Sequence, residues 1–126
     1  MRLTSAFRVG SIVNVIAMLV QALFAGEILG GMSYGPALHL GMAKFLVIWG
    51  GLQATVALAM KTRHLAPPWL PIAAVGVFVA EVCEFGLGHF HSLILHVPLA
   101  VAIFGGAVRQ FLWSLRMPAA APIGRV

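Results

Sequence analysis

The residues best suited to chemistry in this 126-residue chain come in pairs. Among only five His and three acidic residues, His39 and His96 recur at an offset of 57 positions, as do Glu27 and Glu84. Gln53 and Gln110 share that offset, and so do Gly31 and Gly88, Leu38 and Leu95, and Ala43 and Ala100. Matches of Ala, Gly and Leu carry little information in so apolar a chain, whereas His, Glu and Gln matches drawn from such small pools indicate a duplicated unit. Two imidazoles on facing helices can hold one iron as a six-coordinate haem. The second ring nitrogen is then free to be held by a carboxylate or carbonyl, which fixes the tautomer. His39 and His96 are therefore candidate axial ligands, and Glu27 and Glu84 candidates to orient them or to move protons. Helical steps from each histidine give Ala43, Leu46, Gly50 and Gln53 on one side and Ala100, Ile103, Ala107 and Gln110 on the other. Ala43 and Ala100, one turn from the histidines, leave space for a flat cofactor or for close helix packing.

The same four groups support other chemistries. Carboxylate and imidazole together suit a non-haem Fe, Mn or Zn, although the Glu-x-x-His motif of di-iron bundles is absent. Histidines near a headgroup layer can also do no more than hydrogen-bond neighbouring helices.

The elements that must position these residues follow from composition. The chain is 61% hydrophobic and 9% charged, with a mean hydropathy of +1.01, which places it in a bilayer. Apolar runs over about 9–29, 37–60, 69–87 and 93–115 are each close to the roughly 20 residues a helix needs to cross the hydrocarbon. The expected fold is all-α, an integral membrane four-helix bundle built from two repeated transmembrane hairpins, with repeat units at about 9–60 and 66–117. Residues 118–126, rich in Ala and Pro, read as a disordered tail.

Eight Lys and Arg face three acidic residues, but they are dispersed between apolar runs and form no nucleic-acid patch. Arg2, Arg8, Lys61, Arg63, Arg109, Arg116 and Arg125 all fall on one side of the expected bundle. By the positive-inside rule both termini are cytoplasmic in a multi-pass protein of the inner (plasma) membrane, with the loops around Tyr34 and His89 facing outward. A signal peptide is the competing reading of the first span, but no A-x-A-like cleavage site follows it. From His39 to Lys61 is 22 residues and from His96 to Arg116 is 20, roughly 33 Å and 30 Å of helix. Both histidines accordingly lie near the outer face, in one layer with Glu27 and Glu84.

The remaining polar residues carry weaker signals. His89 and His91 read as interfacial, and His64 as part of a cytoplasmic loop. Glu81 lies one turn deeper than Glu84, and Lys44 is the basic residue in mid-span, so an ion pair of Lys44 with Glu81 or Glu84 is expected. Trp49, Trp69 and Trp113 fall toward inner ends as an aromatic belt. Pro98 is a candidate kink. Cys83, the single cysteine, excludes an internal disulfide and reads as a packing residue.

The segment Leu95-His96-Val97-Pro98-Leu99-Ala100, following a third helix rich in Glu and Gly, together with Leu38-His39 opening the second, resembles one half of the haem A synthase family. The resemblance implies a four-helix architecture whose second and fourth helices supply the haem ligands, here His39 and His96. The family's Glu-x-x-His-Arg motif would need Glu at position 36 and Arg at 40, where Pro36 and Leu40 stand. The expectation is therefore a small b-type membrane cytochrome holding one haem b, for electron transfer or redox sensing. A redox partner protein or quinone is implied, and a homo-oligomer or a place in a larger membrane complex is compatible. The alternatives are a haem-modifying or metal-dependent membrane oxidoreductase and a cofactor-free structural subunit.

Overall fold

The computed structural model describes residues 3–90 and 92–117. The chain forms four helices, α1 (Leu3–Leu29), α2 (Gly35–Thr62), α3 (Trp69–His89) and α4 (Leu93–Arg116). Each is long and apolar enough to cross a membrane. They pack in a ring in which α1 meets α2, α2 meets α3, α3 meets α4 and α4 returns to α1. The helices α2 and α4, which carry the two candidate histidines, thus stand diagonally across the bundle.

The helix limits agree with the apolar runs except at the start, where α1 begins at Leu3, well before Val9. The added turn is held by packing. Phe7 is fully buried and meets Trp113 edge-on with ring centres 6.1 Å apart. Arg8, expected only to set topology, donates from Nε to the Ser114 carbonyl at 3.0 Å and from Nη2 to the Met117 carbonyl at 2.7 Å. Ser114 lies in the last turn of α4, where its carbonyl otherwise has only a long bond of 3.4 Å from Met117 N–H, and Met117 is the residue that caps the helix.

Two turns have the hydrogen-bond pattern that ends a helix on a left-handed residue. Gly31, at φ 77°, closes α1 through Gly31 N–H to Ile28 and Met32 N–H to Glu27. His64, at φ 55°, does the same for α2 through His64 N–H to Lys61 and Leu65 N–H to Met60. Its place in the second connection is thus a helix-ending one. The helix α4 continues through Pro98, whose ring is exposed.

The distribution of polarity is that of a chain solvated by lipid. Ile16, Ile48, Ile72 and Val101 face outward. Ser11, Asn14, Gln53, Glu81, Gln110 and Ser114 are buried inside. At the end that carries Arg8, Lys61 and Arg116, the core consists of Phe7, Ala54, Ala57, Met60, Leu70, Ala74 and Met117. Midway, Ala17, Met18, Leu46, Ile103 and Ala107 form a second apolar layer. So many alanines let the backbones approach closely, which is how helices associate where lipid removes the hydrophobic drive. Cys83 is exposed, so it does not pack the interior. Trp49 lies within the bundle rather than in a belt alone, donating to the Gly10 carbonyl at 3.0 Å. The C-terminal tail, His91, Arg2 and Arg125 lie outside the described residues.

The residues matched at 57 positions make parallel contacts from α2 and α4, whereas their partners on α1 and α3 are offset differently. Gln53 Nε2 donates to the Phe7 carbonyl on α1 at 3.1 Å, and Gln110 Nε2 to the Ala73 carbonyl on α3 at 3.5 Å. His39 meets the Gln21 carbonyl on α1, and His96 the Glu84 carbonyl on α3. The structural counterpart of Glu84 is therefore Gln21, 63 positions earlier, and not Glu27. Phe7 and Leu70, also 63 apart, are both fully buried. The reason lies in the first hairpin, which has six more residues than the second between its carbonyl partner and its histidine. Glu27 stands in that extension, about 9 Å along the helix from Gln21.

Candidate functional site

The ligand candidates come together at the bundle end opposite the basic residues. The His39 and His96 rings face one another with centres 6.3 Å apart and planes inclined at 62°. Each sits in the first turns of its helix, four residues into α2 and three into α4, where the start of the helix sets its height.

Each imidazole is anchored through Nδ1. His39 Nδ1–H donates to the Gln21 carbonyl at 3.3 Å, and the Gln21 amide donates to His39 Nε2 at 3.2 Å. His96 Nδ1–H donates to the Glu84 carbonyl at 3.2 Å, and Glu84 Oε1 lies 3.0 Å from the same nitrogen without accepting a hydrogen bond. Carbonyl acceptors on Nδ1 leave Nε2 with the lone pair, the tautomer a metal-binding histidine needs. Gly88 makes room for the His96 ring, since a Cβ there would lie 3.0 Å from its Cε1.

Not every expected partner joins this layer. Glu84 reaches His96, but Glu27 makes no hydrogen bond or ion pair with either histidine, and its Oε2 is buried without a partner. Ala43 is half-buried between the helices, whereas Ala100 is exposed on the outer side of α4. The stripes below them converge as the helical phase requires: Leu46, Gly50, Gln53, Ile103, Ala107 and Gln110 are all buried. His89 is exposed and stacks edge-on against Phe90.

The expected ion pair of Lys44 with Glu81 or Glu84 does not form. Lys44 is exposed on the outer face of α2, where its long stem can carry the ammonium toward the headgroups. Glu81 is buried and Glu84 is turned to His96.

Gln21, Asn14 and Ser11 are absent from the residues singled out by sequence. Their signal is a polar stripe on α1 at helical spacing, Ser11, Asn14 and Gln21, in a helix otherwise almost wholly apolar. Without an ionisable member the stripe does not stand out as histidine or glutamate does.

Among the described residues no three His, Cys, Asp or Glu side chains are grouped to hold a metal ion by themselves. The donor set fits a haem better than a bare ion, because a porphyrin supplies four nitrogens and asks the protein for only two. Comparison with protein families, with curated proteins and with solved structures finds no match.

Proposed function

We propose that this protein is a small b-type membrane cytochrome, with one haem held between His39 of α2 and His96 of α4 and used for electron transfer or redox sensing. The observation that carries this reading is the facing of two Nδ1-anchored imidazoles across the bundle diagonal at 6.3 Å. Two histidines that would hold one haem iron must bring their Nε2 atoms toward a common point, and ring centres this close are compatible with that. When bound, haem iron supplies reversible one-electron chemistry, and the apolar walls around it set its potential.

The chain's own residues then have defined tasks. The Gln21 and Glu84 carbonyls hold the two rings in the ligating tautomer, and Glu84 Oε1 stands 3.0 Å from His96 Nδ1. To free His39 Nε2, the Gln21 side chain turns away from the ring while the Gln21 carbonyl keeps Nδ1–H. The concentration of basic residues at the far end favours an orientation with that end in the cytoplasm and the histidines near the extracytoplasmic face. An electron carrier at one face of the bilayer requires a redox partner, either protein or quinone.

A second reading rests on the same bonds. His39, His96, Gln53 and Gln110 each tie one helix to a carbonyl of the preceding helix, which suffices for a cofactor-free subunit held together by polar contacts. Absorption spectra of the detergent-purified chain supplied with haem, oxidised and reduced, separate the two. A reducible low-spin spectrum lost in both His39→Ala and His96→Ala supports the cytochrome. Absence of haem binding by the folded wild-type chain rejects it.

A further inference from the structure

The buried residue least explained by the histidine layer is Glu81. It is 5% exposed, lies on α3 one turn from Glu84 toward the basic end, and both of its carboxyl oxygens are buried without a hydrogen-bond partner. Its seat is prepared by α2. Gly50 has no side chain where the Glu81 carboxyl lies, and a Cβ there would collide with Oε2. From α1 the nearest polar group is Asn14, itself 3% exposed and with a partnerless Oδ1.

The charged groups of the bundle all lie elsewhere. On α2, Lys44 is exposed on the outer face. On α4, Arg109 is the basic residue within the span, and it lies over the Trp69 ring at 4.7 Å, near the basic end. On α1, Arg8 is engaged by the end of α4, and Glu27 stands near the opposite terminus. On α3 itself, Glu84 is turned to His96. An ionised carboxylate at this depth would have no counter-charge, with the Asn14 amide as its one neighbouring donor and Asn14 Oδ1 left without one. A neutral carboxylic acid resolves both orphans together, because its O–H can donate to Asn14 Oδ1 and its carbonyl oxygen can accept from the Asn14 amide.

We propose that Glu81 and Asn14 form a proton-binding site in the bundle interior, separate from the histidine layer, with the proton held on the Glu81 carboxyl and shared with the Asn14 amide. Toward the basic end the next polar groups are Ser11 and Gln53, both buried. Ser11, one turn away on α1, accepts from Gln53 Nε2 at 2.8 Å and donates to the Phe7 carbonyl at 2.9 Å. In the other direction the apolar layer of Ala17, Met18, Leu46, Ile103 and Ala107 separates Asn14 from Gln21.

The test is infrared spectroscopy of the full chain in detergent without added haem, with glutamate isotopically labelled. Since the chain has three acidic side chains, all Glu, the labelled bands can be assigned with Glu27→Gln, Glu81→Gln and Glu84→Gln. At neutral pH a protonated-carboxyl band, lost in Glu81→Gln and moved to higher frequency in Asn14→Ala, is expected. Ionised carboxylate alone at Glu81 in the wild-type chain, a band unmoved by Asn14→Ala, or conversion of the band to carboxylate by sodium at constant pH would each overturn the proposal. A wild-type spectrum with no protonated-carboxyl band rejects the proposal even where a variant folds poorly. Because no haem is present, the result is independent of whether the histidines bind one.

Discussion

At the scale of single residues, the two glutamates that share a sequence offset have different surroundings. Glu84 Oε1 lies 3.0 Å from His96 Nδ1, while Glu27 makes no contact of this kind with His39. Carboxylates that hold a ligating histidine contribute through the orientation and basicity of the ring, and losing such a partner typically costs 10–100-fold in metal affinity. Glu84→Gln is therefore expected to weaken haem binding by about one order of magnitude, less than full truncation because the Glu84 carbonyl still holds Nδ1. Glu27→Gln should leave affinity unchanged. Haem titration of the two purified variants makes the comparison, and equal losses would mean that the carboxylates act as an equivalent pair after all. The glutamates and histidines were legible in sequence because such residues are rare in an apolar chain. Their partners were not, since a backbone carbonyl such as that of Gln21 has no sequence signature.

At the scale of elements, the helices are held together by close approach and by a few polar ties. Where α2 passes α3, Gly50 admits the Glu81 carboxyl. Gly50→Ala should cost about 1–3 kcal/mol through overpacking, and most of that cost should vanish in a Glu81→Ala background because the colliding group is gone. Gly76, which has open space at its Cβ position, gives the control: Gly76→Ala should be neutral or stabilise by up to about 1 kcal/mol. Thermal unfolding in detergent reads all four proteins, and additive effects of the Gly50 and Glu81 changes would contradict the contact. The α1–α4 junction depends instead on Arg8. Arg8→Ala removes two hydrogen bonds to the last carbonyls of α4 and should destabilise by about 1–3 kcal/mol. Arg8→Lys should recover only part of this, since a single ammonium cannot reproduce the two-nitrogen grip. Unfolding of Arg8→Ala at the wild-type temperature would show that water satisfies those carbonyls equally well.

At the scale of the whole molecule, orientation in the membrane follows from charge. With Cys83→Ser as background, Tyr34→Cys should react with an impermeant maleimide on intact cells, and His64→Cys only after permeabilisation; the reverse pattern would invert the topology. Sequence by itself determined that there are four membrane-length helices and that α2 and α4 carry matched His and Gln residues. It could do so because lipid imposes a length and a polarity on every span, and because a helical repeat preserves spacing within one continuous helix. Only the tertiary structure decided which helices adjoin, that the histidines 57 positions apart find partners on α1 and α3 that are 63 apart, and that Lys44 faces outward while Glu81 is enclosed. Those outcomes depend on connection lengths and on the rotation of each helix about its own axis. A few residues in the first hairpin shift one helix along its neighbour by about 9 Å, enough to exchange Glu27 for Gln21 beside a histidine.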